Sequence, residues 1–190
     1  MVQFGVVVAL LNYALQTISA GRASLIFATF PLITMLFAAA LKHERLTVAK
    51  STGVGLTVLG VGLTLGEKAV LPGGGSWLGE AAVLLSAASG ALCSVLYRPY
   101  LQTYDPLPVG ALAMLASVGF LAALAAPQGF FIEPPSLTDG GWLAVLFIGV
   151  SSGIGYWLWL WALRHASPTR VAVFLALGPA TAFLLGAIFL

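Results

Sequence analysis

Charge along this chain is confined to short islands between long apolar runs. The islands "KHERLTVAK" (42–50), "EKAVLPGGGSW" (67–77), "RPYLQTYDPLP" (98–108) and "APQGFFIEPPSLTDGG" (126–141) carry most of it. They separate stretches of roughly 17–25 apolar residues, the length at which a helix crosses a hydrocarbon core. Eight basic and six acidic residues among 190 are too few for the surface of a water-soluble domain of this size. The pattern predicts an all-α polytopic membrane protein with seven spans, at 2–20, 23–41, 48–66, 78–98, 107–126, 141–163 and 170–190. Pro and Gly in the breaks mark the turns between them. The first run lacks the basic start and cleavage site of a secretory signal. The single cysteine, Cys93, excludes an intrachain disulfide and a multi-cysteine metal site.

Basic residues set the expected orientation. With alternating spans, Lys42, Arg45, Lys50, Arg98, Arg164 and Arg170 fall on one side, and Arg22 and Lys68 on the other. The positive-inside rule makes the first side cytoplasmic, together with the start of the chain. The net charge of +2 therefore reports membrane orientation. There is no basic face to hold phosphates, which excludes nucleic acid as a partner.

One segment occurs twice. "SAGRASLIFATFPLITMLFAAAL" begins at Ser19 and "SPTRVAVFLALGPATAFLLGAIF" begins 148 positions later at Ser167. Each has Ser first, Arg fourth and Pro thirteenth, and the match extends upstream through Ala14-Leu15 and Ala162-Leu163. Spans one and two thus recur as spans six and seven. The offset is five spans, an odd number, so the second copy crosses in the opposite direction. Inverted repeats of this kind build many secondary transporters, in which the halves exchange conformation around a central site. The expected whole is a ten-helix bundle of two inverted five-helix repeats, of which two spans before Met1 and one after Leu190 lie outside this chain.

The segments "SAGRASLIFATFPLITMLFAAALKHERLTVAKSTGVGLTVLGVGLTLGE", "GEAAVLLSAASGALCSVLYRPY" and "GIGYWLWLWALRHASPTRVAVFLALGPATAFLLGAIF" together resemble the EamA-like proteins of the drug/metabolite transporter superfamily. His43 stands where the family's Gly-Glu-Arg-Leu-Thr turn has Gly, followed by Glu44, Arg45, Leu46 and Thr47. The resemblance implies an incomplete first EamA-like repeat at 1–67, an extracytoplasmic linker at 68–77 and an incomplete second repeat at 78–190. It also implies a secondary transporter of small organic metabolites, working as an exporter in a bacterial inner membrane. The implied partners are the lipid bilayer and a small-molecule substrate, with proton coupling open and no cofactor. A monomer is expected, with a homodimer as the alternative.

Polar groups within apolar runs are the substrate-cavity candidates: Asn12, Tyr13 and Gln16 on the first span, Thr29 and Thr34 on the second, Ser89 on the fourth, and Tyr156 and Trp157 on the sixth. Amide and phenol groups can orient a solute, and aromatic faces can hold its apolar part. Ser and Thr hydroxyls can equally satisfy their own helix backbones, and the tryptophans can form an interfacial belt. Pro31 and Pro179 each remove a helix hydrogen bond; they are candidate hinges, with fixed packing kinks as the alternative. Arg22 and Arg170, at helix starts, and Glu44 and Arg45, in the island at 42–50, are candidate helix-end anchors or gates. No acidic residue lies at the centre of a span, which leaves Glu80, three residues into the fourth, as the candidate coupling carboxylate.

Enzymatic chemistry finds no support in the sequence. No nucleophile with a base, no carboxylate pair and no metal-ligand spacing assembles, so no catalytic or metal residue is assigned. The alternative to a transporter is a non-transporting structural or membrane-enzyme subunit that needs a partner chain.

Overall fold

A computed structural model describes residues 2–69, 77–132 and 136–177. Its elements are α1 (Val7–Leu15), which continues a π-helical turn at Val2–Val6, α2 (Ala20–Phe27), α3 (Phe30–Ala40) and α4 (Val48–Ala69), then α5 (Trp77–Thr103), α6 (Pro106–Ala125), α7 (Asp139–His165) and α8 (Pro168–Val173). Short 3-10 turns follow α6 at Ala126–Gln128 and α8 at Phe174–Ala176. Four described stretches are long and apolar enough to span a membrane: Ala20–Ala40, Trp77–Thr103, Pro106–Ala125 and Asp139–His165. The first expected span is helical over Val2–Leu15, and the third is α4. The seventh begins as α8, while its remainder from 178 onward, with Pro179, lies outside the described residues. So does most of the 68–77 linker.

The second expected span is two helices rather than one. Ser19 caps α2, its hydroxyl accepting the Arg22 N–H at 3.4 Å. The helix stops at Ala28–Thr29, where the Thr29 N–H and hydroxyl both donate to the Ile26 carbonyl at 3.0 and 2.7 Å. Pro31 then sits in the first turn of α3, where its missing N–H costs no helical bond. At the other end of α3, the Ala38 carbonyl accepts the N–H groups of His43 and Glu44 at 2.8 and 3.0 Å. That close needs a left-handed residue, and Lys42 supplies it at φ 58°.

The bundle is built around α5. Gly79, Ala82, Val83, Ser86, Ala87, Gly90, Ala91, Ser94 and Val95 are all buried and recur at three- and four-residue spacing. This stripe of small residues lets neighbouring helices approach closely, which is the main source of packing energy where lipid removes the hydrophobic drive. On one side Ala82 and Val83 pack with Ala14, Ile18 and Ala23 of the α1–α2 arm. On another, Ala87 and Ala91 meet Phe30 of α3 and Ala172 of α8. Leu101, near the end of α5, packs with Leu160 and Leu163 of α7 and Val171 of α8. The outer faces of α6 and α7 expose Leu107, Leu112, Leu115, Leu143, Leu146 and Phe147, the apolar surface a bilayer covers.

The two copies of the repeated segment start at opposite ends of α5. Arg22, in the first turn of α2, meets Glu80 near the beginning of α5. Val171, in the first turns of α8, meets Leu101 near its close. In the second copy α8 tightens into a 3-10 turn near the matching register. The 3-10 turn Phe174–Ala176 falls where the 148-residue offset places positions 26–28, next to the break at Ala28–Thr29.

A Cβ on Gly90 would lie 2.9 Å from the Phe30 ring and 3.4 Å from the Val7 side chain. Gly90→Val is therefore expected to destabilise the protein by about 1–3 kcal/mol, the usual cost of overpacking. Gly55→Ala, whose Cβ meets nothing within 4 Å, is expected to be neutral or slightly stabilising. Thermal unfolding of both variants in one detergent checks the contrast.

Candidate functional site

Three helices bring polar side chains together inside the bundle. The Gln3 amide, in the π-helical turn before α1, donates from Nε2 to Ser94 Oγ of α5 at 3.2 Å. Its Oε1 accepts the Tyr156 hydroxyl of α7 at 3.4 Å, a long bond. The Ser94 hydroxyl in turn donates to the Gly90 carbonyl at 2.8 Å. Ser94 is fully buried and Tyr156 is 8% exposed. The Phe4 ring meets Tyr156 edge-on at 5.7 Å, and Tyr97 packs in the same cluster. One helical turn beyond Tyr156, Trp159 meets Phe30 edge-on at 6.2 Å, and Phe30 stacks on Phe27 at 5.5 Å. The Trp159 indole Nε1 is buried with no hydrogen-bond partner among the described residues. The result is a run of amide, hydroxyl and indole groups inside aromatic walls, the composition of a small-solute site.

A second junction lies where the α3–α4 loop touches α8. Glu44 has only 6% of its side chain exposed, and its Oε2 takes the Lys50 ammonium at 2.7 Å. Its Oε1 accepts the Thr169 backbone N–H at 3.2 Å, across 125 residues of sequence. Thr169 is in the first turn of α8, whose preceding Ser167 makes no side-chain cap, so the Glu44 carboxylate caps that helix instead. Burial pushes the Glu44 carboxyl up, but Lys50 and the Thr169 N–H outweigh it and hold it below the ordinary carboxylate value.

At the opposite end of the bundle Arg22 and Glu80 pair at 3.3 Å, with about a third of each side chain exposed. Arg164 at the end of α7 pairs with Asp105 at 2.6 Å.

The structure sorts the sequence candidates. Tyr156 enters the interior site. Asn12, Tyr13 and Gln16 lie on exposed faces of α1 and the turn after it, and Trp157 is 41% exposed. Thr29 and Thr34 spend their hydroxyls on their own helix backbones, at the Ile26 and Phe30 carbonyls. Ser89 is half-buried on α5. Pro31 sits at a real helix break, while Arg45 and Arg170 are exposed. Gln3 and Ser94 were the residues to add. Gln3 is the first polar side chain of the chain and interrupts an otherwise apolar start, and Ser94 falls on the small-residue stripe of α5. Ser86, on the same stripe, donates to the Val7 carbonyl at 3.0 Å and fastens α5 to α1. Among the described residues no three His, Cys, Asp or Glu side chains gather to hold a metal.

The model of the EamA-like transporter family matches residues 1–66 and 77–190. The chain belongs to that family. As an EamA-like protein it is an integral, polytopic, all-α membrane protein. An uncharacterised transporter of Archaeoglobus fulgidus is 28% identical over 186 residues, covering 95% of this chain and 63% of that protein. A Streptantibioticus cattleyicolor protein named "Probable terminal-alkyne amino-acid exporter" is 30% identical over 185 residues, covering 95% of this chain and 60% of its own. One crystal structure superposes with a TM-score of 0.71 at 25% identity, over 95% of this chain and 63% of that one. The EamA-like chain thus spans about three fifths of the length of the curated relatives it matches. Family and relatives carry the names of transporters rather than enzymes.

Because the folded Glu44 pKa is depressed, its contribution is present above the unfolded carboxylate value of 4.5 and is lost as pH falls through the lower folded value. Glu44→Gln is expected to cost about 1.5–3 kcal/mol at neutral pH, the range for hydrogen bonds to charged groups. The difference from the parent protein should begin to shrink near pH 4.5 and vanish only below the lower folded value. Unfolding of both proteins across that pH range measures it.

Proposed function

We propose that this EamA-like chain works in secondary transport, exporting small organic solutes by alternating access between two inverted repeats. The observation that carries the reading is the Tyr156–Gln3–Ser94 chain of hydrogen bonds. It joins α5 and α7 to the π-helical turn before α1 through side chains alone, whereas the buried hydroxyls of Thr34 and Ser86 bond backbone carbonyls. A polar cluster there is costly for a merely structural bundle and is expected of a solute path. The name of the Streptantibioticus cattleyicolor relative supports outward movement of an amino-acid-type solute.

The assignment of repeats follows the internal symmetry: 1–67 to the first, 78–190 to the second, and 68–77 to the linker between them. The two arms that begin at Ser19 and Ser167 start at opposite ends of α5; the first breaks at Ala28–Thr29, and the second tightens into a 3-10 turn at Phe174–Ala176. These two places are the hinges of the proposed cycle, with Pro31 fixing the first. Glu44 with Lys50 and α8 closes one end, and Arg22 with Glu80 closes the other. Glu80 thereby serves as a gate charge and as the proposed coupling carboxylate. Six basic residues on the Glu44 side support a cytoplasmic location for it, in a bacterial inner membrane.

Counterflow of radiolabelled amino acids in proteoliposomes tests the reading. Uptake against the same unlabelled solute is expected. Gln3→Ala and Tyr156→Phe should reduce it about tenfold, the effect of losing one buried hydrogen bond. Asn12→Ala, on the exposed face of α1, should leave it within about twofold, in the range of surface substitutions. Absence of counterflow for every solute tested, with the variants folded, would return the chain to a non-transporting subunit.

A further inference from the structure

The connection from α6 to α7 carries an exposed apolar tip. Phe130, Phe131 and Ile132 are 50, 63 and 83% exposed. Outside the helices, no other three consecutive large apolar side chains among the described residues are exposed. Turns that face water are ordinarily built from Gly, Pro, Asn, Asp and Ser, so this composition points to another environment. The backbone is built to leave water as well. Pro127 brings no N–H, the Gly129 N–H donates to the Ala126 carbonyl at 3.2 Å, and the Ile132 N–H donates to the Gly129 carbonyl at 2.9 Å. Gly129 makes the reversal between these turns at φ 80°. Donors paired within the loop lose less when lipid replaces water. The Phe130 and Phe131 rings meet edge-on at 5.4 Å and present one apolar surface.

The fold sets this tip at the edge of the bilayer. Arg164 at the end of α7 pairs with Asp105 just before α6, so the connecting loop lies at the other end of that hairpin. The 20 residues of α6 rise about 30 Å, the thickness of the hydrocarbon core. The tip follows directly after the short 3-10 turn that ends α6. Trp142, in the first turn of α7 at the same end, is exposed in the manner of an interfacial tryptophan. From there exposed Leu124 and Leu115 on α6, and Leu143 and Leu146 on α7, continue the apolar surface into the span. We propose that Phe130, Phe131 and Ile132 form an interfacial anchor that enters the acyl-chain boundary and pins this end of the α6–α7 hairpin to the lipid. Apolar burial alone holds it. No Lys or Arg occurs between Arg98 and Arg164, so anionic headgroups add no attraction here. A hairpin held at one depth gives the arms at α2–α3 and α8 a frame to move against. The anchor depends neither on the solute carried nor on whether one is carried.

Depth measurement by electron paramagnetic resonance tests the anchor. The full chain with Cys93→Ser is placed in phosphatidylcholine nanodiscs, and Phe131→Cys carries a nitroxide. Collision with oxygen relative to a water-soluble nickel chelate reports the depth of the label. A second label at Leu115→Cys, exposed midway along α6, marks the hydrocarbon. The label at position 131 should lie about 5–10 Å into the headgroup and acyl boundary, shallower than the one at 115. Adding Phe130→Glu and Ile132→Glu should lift it into water, while the label at 115 keeps its depth. Adding phosphatidylglycerol should leave both depths unchanged. A label at 131 that sits in water without the two Glu changes overturns the proposal. So does one shielded from oxygen and nickel alike, which would mean that protein, a second copy included, covers the tip. A depth that ignores the two Glu changes, or one that follows the phosphatidylglycerol content, overturns it as well.

Discussion

Every break in a membrane helix exposes backbone groups that lipid cannot satisfy, and around α2, α3 and α8 the breaks fall where a side chain or a tightened turn stands ready. The chain turns after α1 where the Thr17 hydroxyl reaches the Ala14 carbonyl. It restarts at Ser19, whose hydroxyl caps α2. It pauses at Thr29, which closes on Ile26. The start of α8 draws its partner from far away, because Ser167 does not cap it and Glu44 does. That one carboxylate holds α8 against the end of α3, and with it the approach of α8 to Phe30 and α5.

The central helix meets a related demand by being small rather than polar. A stripe of Gly, Ala and Ser along α5 gives up side-chain bulk so that α1, α3, α7 and α8 can all reach its backbone. Two of its serines do more than save space. Ser86 ties down the Val7 carbonyl and Ser94 accepts from Gln3, so close packing and the polar interior are produced by one face of one helix. In the EamA-like chain the scaffold and the polar interior cluster are therefore not separable.

Span positions and the doubled segment were legible because they are local properties of the sequence. Apolar run length marks a crossing, and Ser, Arg and Pro at fixed spacing survive any arrangement of helices. The rotation of each helix about its axis was not legible. Asn12, Tyr13 and Gln16 form a one-turn polar patch that reads as a cavity wall, yet it faces outward, while Gln3, two to three turns earlier, faces in. Trp157 and Trp159 are two residues apart and so point in different directions, and only Trp159 reaches Phe30. Thr29 and Thr34 look like solute ligands in a string of letters, but a hydroxyl in a helix has a carbonyl of its own within reach. Glu44 was visible as a loop charge. That it crosses to α8 depends on tertiary placement, which no spacing in the sequence encodes.

The interior hydrogen bonds carry a consequence for biosynthesis. Gln3 and Tyr156 are 153 residues apart, so at 5–20 residues per second the amide enters the bilayer roughly 8–30 s before its phenol is made. Ser94 comes sooner, with α5, and is the first group able to shelter Gln3 from lipid. Until then the early helices hold an unpaired amide in hydrocarbon or keep it near the headgroups. The membrane insertion machinery must therefore tolerate a half-built bundle whose most useful side chain is, for that interval, its most costly one.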